Sequence, residues 1–474
     1  MSTISHLTEA PSDTLGFAGT VALTLGALDF ALEGSIIVPA LPAFADYFDA
    51  SLIAVGWLAT GFLLASVIGV PLLGRLGDMF GKRLMLLFAL GAFSVGALIC
   101  AVTGSIELAI LGRVIQGFGA AAGPLTLALA RDTVAPAQLA RVIGAVIGAA
   151  SVGGGIGFLL GGVLVDRFSP AAVFWALFAL GMALIVAIAL FVRESPLRAK
   201  VRLDVAGVTL LAAGLVVLLL AISKGAAWGW SSEPVIGLLA GSAVLLALFA
   251  LVESRVREPH VDLRLVIERP FANTNVCVFA FGFAFFTASY LIPQIAAAPE
   301  RSGYGLGLST TQIGLLLVPS CAAGLFAASV AGRVADRTGP RALVAAGSLC
   351  GLGGNLALSL WHGSVLAIAL GSSGIGLGWG FILPGIYMVV LRWASADKSA
   401  VAASVTAIVR NTGVSVGVSV AFAIVTAAGL SGEFSSESGF VDALLVAALG
   451  SCATLVAALT LPGRHANAER ARLA

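Results

Sequence analysis

The sequence predicts an all-α integral membrane protein of fourteen transmembrane helices, built as two six-helix halves with two inserted helices between them. Three observations predict it. Of the 474 residues, 59% are hydrophobic and only 11% charged, and the mean hydropathy is +1.05. Fourteen apolar runs are long enough to cross a bilayer. A charged sequence frame recurs 258 residues downstream of itself.

Composition sets the solvent. A soluble domain carries roughly 25% charged residues, so water cannot cover most of this surface and lipid must. The net charge is +2 and no basic block is present, which gives no footing for nucleic acid. Glycine is abundant, at 58 residues, as expected where helices pack closely in lipid. Cys100, Cys277, Cys321, Cys350 and Cys452 all fall in apolar runs without a CxxC pair, and read as small buried apolar residues. Residues 1–16 are polar and lack Lys and Arg, so the first apolar run reads as a retained helix and not as a cleaved signal.

A spanning helix needs about 20 apolar residues. After a 1–16 tail, that ruler places six helices in a first half, 17–200, near 17–40, 52–73, 84–102, 108–130, 141–164 and 171–192. An inserted hairpin, 201–253, carries 205–223 and 235–252. A charged linker with two prolines, 254–270, leads to a second half, 271–462, with helices near 271–295, 311–331, 342–361, 365–390, 404–428 and 439–461. A 463–474 tail closes the chain.

Charge supports this map independently, because cytoplasmic loops are richer in Lys and Arg. With the N-terminus inside, the inner segments hold 21 of the 26 basic residues and the outer loops only Arg167, Lys224 and Arg301. Arg113 and Arg410 remain within spans. Both termini are therefore expected on the cytoplasmic side of a cell membrane.

The repeat is Gly74-Arg75-Leu76-Gly77-Asp78 through Gly81-Lys82-Arg83, against Gly332-Arg333-Val334-Ala335-Asp336 through Gly339-Pro340-Arg341. Each copy follows the second helix of its half and is expected in a cytoplasmic loop. Repeated halves are a transporter design, with the substrate site between them and access that alternates.

The sequence resembles the major facilitator superfamily, and within it the fourteen-span drug:proton antiporter branch. Residues 74–83 match the superfamily loop frame GxLaDrxGrk. Leu111 to Ala121, LGRVIQGFGAA, matches the branch motif lxxxRxxqGxgaa. Leu32 to Pro42 partly matches its first-span motif, and Glu258-Pro259 with Asp262-Leu263-Arg264 looks like the branch's loop after the eighth span. Three positions depart: Glu33 stands for the family's Asp, Val38 for its Asn, and Gly157-Phe158-Leu159-Leu160-Gly161-Gly162 lacks the Pro of the antiporter motif. The lost Pro bears on the direction of transport and not on the fold.

Asp29 and Glu33, four apart in the first span, share one helical face. A charge at the membrane centre costs about 2.5–3.5 kcal/mol on insertion scales. Desolvation and a like-charged neighbour both disfavour the ionised carboxylate, so one of the two is expected to hold a proton part of the time near neutral pH. Proton coupling needs that chemistry. The alternative is a structural pair facing water or bound to Arg113. By motif register Glu33 takes the family's acidic position, whereas Asp29 rests on physics alone. Arg113 cannot deprotonate and must find acceptors within the bundle. The resemblance implies that it faces the cavity near the first span and assists coupling, and a structural anchor on first-span backbone is the alternative. Gln116 shares its face.

Asp78 is a gate candidate. Its carboxylate suits the positive start of a helix in the other half, with Arg75, Lys82 and Arg83 pairing across the same seam, Gly74 and Gly81 shaping the frame, and Asp336 as its repeat. The bland alternative is that these charges only set topology. Phe283 and Tyr290, in the aromatic-rich ninth span, and Trp379 and Tyr387, in the twelfth, are expected with Gln116 and Arg410 to line an apolar substrate cavity; lipid-facing rings are the ordinary alternative. Arg410 is also placed to snorkel from near the cytoplasmic end. The glycines from Gly153 to Gly162 lack a following GK[ST] and a preceding strand, so they read as close helix packing and not as a phosphate loop.

These residues together predict a monomeric exporter of small amphipathic or lipophilic molecules in exchange for protons, with no cofactor and no metal. An uptake symporter or facilitator on the same fold is the alternative, and a non-transporting sensor is the alternative of another class. Nothing reads as an enzyme: the four His lie near ends and loops, and no nucleophile elbow or nucleotide loop is present.

Overall fold

Within lipid, every backbone N–H and C=O must find its partner inside the chain, and a helix meets that demand without help from a neighbour. The apolar runs accordingly fold as helices in the computed structural model, which describes residues 17–134, 136–196, 198, 205–255, 269–393, 399–431 and 434–461. The 1–16 tail, most of the 254–270 linker with Glu258 to Arg264, and the 463–474 tail lie outside the described residues.

The first half comprises α1 (Phe17–Ile36), α2 (Leu41–Phe48), α3 (Leu52–Phe80), α4 (Lys82–Val102), α5 (Ile106–Gly117), α6 (Ala122–Thr133), α7 (Pro136–Arg167) and α8 (Pro170–Phe191). Helices α9 (Val205–Trp228) and α10 (Glu233–Glu253) follow as a hairpin. The second half comprises α11 (Arg269–Ala297), α12 (Thr310–Thr338), α13 (Pro340–Leu360), α14 (Val365–Trp393), α15 (Ser399–Ala427) and α16 (Glu437–Leu459). Among the described residues, eleven helices are long and apolar enough to cross a membrane, with α5 and α6 counted as one. Helices α1, α7 and α9 add runs of 20, 32 and 24 residues.

The internal repeat appears as a repeated packing pattern. In the first half α1 packs on α7, α4 on α8, and α3 and α4 on α5; in the second α11 packs on α15, α13 on α16, and α12 and α13 on α14. The halves then meet through exchanged equivalents, α7 against α12 and α3 against α15. Helix α9 lies along the α3–α15 seam, where Leu215 and Leu219 pack with Leu64 and Val67.

Several elements differ from the sequence reading. Helix α1 stops at Ile36 and not at residue 40, because Pro39 supplies no N–H and constrains the residue before it. The fourth span is broken by a 3-10 turn, Phe118–Ala121, at glycines that let α3 and α4 press on its backbone. The expected loops of the repeat are not loops. Residues 74–80 are the last turns of α3 and 332–338 those of α12, and only one glycine breaks each helix. Gly81 has φ +127° and Gly339 φ +87°, a region open to glycine and costly for other residues. Their N–H groups still bond back, to Gly77 at 3.0 Å and Ala335 at 2.8 Å. The all-helical plan carries one small exception, a ladder of β1 (Leu430–Ser431) with β2 (Phe434–Ser435). Cys452 is exposed on α16, while Cys100 and Cys277 are buried, and all five cysteines are free.

Candidate functional site

Helices α1, α3 and α5 converge on one guanidinium. Arg113 on α5 donates through Nη1 to Glu33 Oε1 at 2.7 Å and to Gln116 Oε1 at 2.9 Å, and through Nε to the Leu58 carbonyl at 2.8 Å. Its guanidinium also lies over the Phe62 ring, 4.6 Å from the centroid. The backbone anchor is thus on α3 and not on the first span, where Nη1 meets the Glu33 side chain instead. Glu33 is 1% exposed, Asp29 2% and Arg113 2%, so the pair is withdrawn from water and each charge depends on the other. Asp29 Oδ1 and Gln116 Nε2 have no hydrogen-bond partner. Gln116 is fully buried and orients Arg113. A carboxylate held by one cation, beside a second carboxylate with an unused oxygen, can take and release a proton while its partner stays charged.

The second half presents rings to this pair. Tyr290 on α11 shares a buried cluster with Leu32 of α1 and Leu58 of α3. From Tyr290 a ribbon of rings runs along α11: Phe286 at 6.1 Å, Phe285 at 5.1 Å from Phe286, then Phe281 at 6.0 Å. Trp379 on α14 lies beside them, tilted at 4.6 Å from Phe285 and edge-on at 5.8 Å from Phe286. Phe283 does not join the ribbon. Its ring edge lies 3.0 Å from where a side chain on Gly450 of α16 would begin. Tyr387 is half-buried, two turns along α14 from Trp379 and outside the ribbon.

Arg410 is half-buried near the middle of α15 and not near its end. Its Nε and Nη2 donate to Asn411 Oδ1 at 3.2 and 3.1 Å. Asn411 Nδ2 in turn donates to Ser66 Oγ of α3 at 3.2 Å, a bond between the halves.

At the end of the bundle away from Gly81, the halves are tied by a contact that the sequence reading did not single out. Asp166, in the last turn of α7, accepts from the backbone N–H of Thr310 at 3.1 Å and of Thr311 at 2.7 Å. These are orphan donors at the positive start of α12. Burial opposes ionisation of Asp166, but hydrogen bonds from Thr311, Ser309 and Thr310 outweigh it and hold the carboxyl below its usual range. One turn earlier, a Cβ on Gly162 would sit 2.6 Å from Thr311 Cα. Gly314 presses in the same way on the Phe158 carbonyl. The only signal in the sequence was the glycine pair with an Asp four residues on.

At the Gly81 end the charges bond within their own half. Lys82 reaches Asp132 at 2.6 Å and Asp78 at 3.6 Å. Arg83 Nη2 donates to the Ala189 carbonyl at 2.6 Å, and Glu194 accepts from the N–H of Arg83 at 2.9 Å and of Leu84 at 3.1 Å. Lys82 and Arg83 were expected to pair across the seam; the ends of α6 and α8 supply nearer partners. Asp78 is 48% exposed and Asp336 is exposed.

A family model described as the Major Facilitator Superfamily matches residues 23–418. The chain belongs to the major facilitator superfamily. Its members are transporters of small molecules and not enzymes, and this chain is a multi-pass membrane protein among them. It is 29% identical, over 94% of its length and 84% of the relative's, to the tetracenomycin C resistance and export protein of Streptomyces glaucescens. It is 27% identical to the multidrug transporter protein MdtP of Bacillus subtilis strain 168, over 84% of this chain and 73% of that one. The solved nucleoside transporter NupG superposes with a TM-score of 0.65 at 13% identity, covering 93% of this superfamily member and 98% of NupG; at that identity the likeness is one of fold.

Proposed function

We propose that this protein is a fourteen-span secondary transporter that exports small amphipathic or lipophilic molecules in exchange for protons, by alternating access between its halves. The observation that carries the reading is the buried Glu33–Arg113 pair, closed by Gln116 and flanked by Asp29. Glu33 is the coupling carboxylate, Asp29 tunes it, and Arg113 holds it. The relatives named for drug export and multidrug transport support the outward direction. Residues 17–200 and 271–462 form the two moving halves. The 201–253 hairpin covers their α3–α15 seam, and the protein works as a monomer in the cell membrane. The experiment is transport in proteoliposomes under an imposed pH gradient, over a compound panel, in both directions. Uphill movement against the proton gradient is expected. Movement with protons in the same direction identifies an uptake symporter, and movement of nothing under any gradient identifies a sensor.

Orientation follows from charge. The Gly81 end, both termini and the 254–270 linker face the cytoplasm, and 432–438 faces out. With the native cysteines replaced, an impermeant maleimide added to intact cells should label a cysteine at Ser436 and spare one at Ser254; the reverse result breaks the map.

The resting contacts support a state closed at the Asp166 end and parted at the Gly81 end. In that state Asp78 has its seam partner still to meet. Asp78→Asn should leave insertion intact and slow transport about tenfold or more, by removing a contact made only when the cytoplasmic side closes. Normal transport at equal expression returns these charges to a purely topological role.

A further inference from the structure

We infer that the transported molecule is an organic anion with an aromatic body, its charge held by the free side of the Arg410 guanidinium. The inference rests on the proposed passage of substrate between the halves.

Arg410 is eleven residues from the start of the 29-residue α15, about 16 Å along the axis at 1.5 Å per residue. The faces of α15 fix its direction. Gly413 and Gly417 press on the α11 backbone at Phe279 and Phe283. Asn411 bonds to α3. Ile408 and Val416 pack with Leu215 and Leu219 of α9. At 100° per residue, Arg410 falls between the α11 and α3 faces and opposite the α9 face, toward the axis between the halves. Val414 and Ala421, next on that face, close the space beyond it in one cluster with Leu58 and Tyr290.

Its charge is uncompensated. Among the described residues no carboxylate lies within ion-pair distance of Arg410, and Glu33 is committed to Arg113. Among the described residues its one hydrogen-bond partner is the neutral Asn411, which takes Nε and Nη2 on one oxygen and leaves Nη1 without a described partner. Asn411 is itself pinned to Ser66, so the fork is held in place. A guanidinium cannot shed its charge, and an ionisable group kept at membrane depth marks a substrate or ion path. A fixed fork with unused donors suits a carboxylate, a phenolate or a similar delocalised anion. A lipophilic cation meets like charge instead. The aromatic body has its own wall: Gly282 lies against the Arg410 carbonyl, and Phe285 and Phe286 begin one turn further along α11 with Trp379 beside them.

The test uses three probes with one aromatic body: pyrenebutyrate, pyrenebutanol and pyrenebutylamine. Binding is followed by energy transfer from tryptophan to pyrene on purified full-length protein, and transport is followed in proteoliposomes. Wild type should bind the butyrate saturably and at least tenfold more tightly than the amine. Arg410→Gln should weaken butyrate binding at least tenfold and leave the butanol unchanged. Arg410→Lys should restore part of the loss, which separates a charge effect from a folding effect, and Arg410→Glu should reverse the preference toward the amine. The inference is overturned if wild type fails to bind the butyrate, binds the amine as well, or if Arg410→Gln leaves butyrate affinity intact. Uphill export of the amine or the alcohol alone sinks the anion and keeps the exporter. Arg410-dependent butyrate binding without transport keeps the anion and sinks the exporter.

Discussion

Arg113→Leu is expected to abolish uphill transport, with a loss of at least a hundredfold, in a protein that still inserts. The guanidinium makes three buried bonds, to Glu33, Gln116 and Leu58. Removing one partner of a buried ion pair typically costs about 3–5 kcal/mol. Here the cost is avoided only if Glu33 keeps its proton, and a carboxyl that never releases its proton cannot couple. Arg113→Lys retains the charge but cannot reach three acceptors from one ammonium, so an intermediate loss is expected. The measurement is the initial rate of gradient-driven transport in proteoliposomes at equal protein. A rate within threefold of wild type for Arg113→Leu means the pair is an anchor and nothing more.

Gly162→Val is expected to hold the Asp166 end apart and to stop the transport cycle. A Cβ at this position would lie 2.6 Å from the Thr311 Cα. Both sides of the contact are backbone, so neither rotamer change nor a flexible tip relieves it. A cysteine at Ile313, which is 1% exposed in the same seam, reports the opening through labelling by an impermeant maleimide. It should be protected in the wild-type background and labelled readily with Gly162→Val. Asp166→Ala removes two bonds to the α12 start but opens no wedge. The carboxylate is solvent-exposed, so its worth is about 1 kcal/mol, and labelling should rise about fivefold. The sign with pH follows from a carboxyl held below its usual range. The bond is present at neutral and mildly acidic pH, and it is lost only as pH falls through that lowered value. Equal protection of Ile313→Cys in all three backgrounds means this seam does not gate.

The helices were legible because lipid leaves the backbone few options, and a run of apolar residues is its own label. The expensive charges were legible for the same reason: Asp29, Glu33, Arg113 and Arg410 stand out where few other residues are charged. Contacts between helices were not legible. Glu33 and Arg113 are 80 residues apart, and nothing local says that the Arg113 backbone anchor is Leu58 on α3. Asp166 was not legible either, because its partners are backbone N–H groups 144 and 145 residues away and backbone donors leave no trace in composition. Phe283 shows the limit of counting rings: seven aromatics in one span cover every face, and only packing decides which turn inward. The motif glycines misled in a more specific way. A frame rich in charge and glycine reads as a loop, yet a helix stops only where the backbone leaves its well, at Gly81 and Gly339.

Proton flux through Glu33→Gln tests the proposed coupling site most directly. Glutamine keeps the shape of Glu33 and its reach to Arg113, and it removes the group that would carry the proton. Vesicles with an internal pH dye should show proton movement on substrate addition for the wild type. For Glu33→Gln they should show neither that movement nor uphill transport, while some binding or passive exchange remains. Asp29→Asn should be milder if Asp29 tunes Glu33, and as severe if the two titrate as a unit. Proton flux and uphill transport by Glu33→Gln at the wild-type ratio would contradict the account and leave Asp29 as the carboxylate to test.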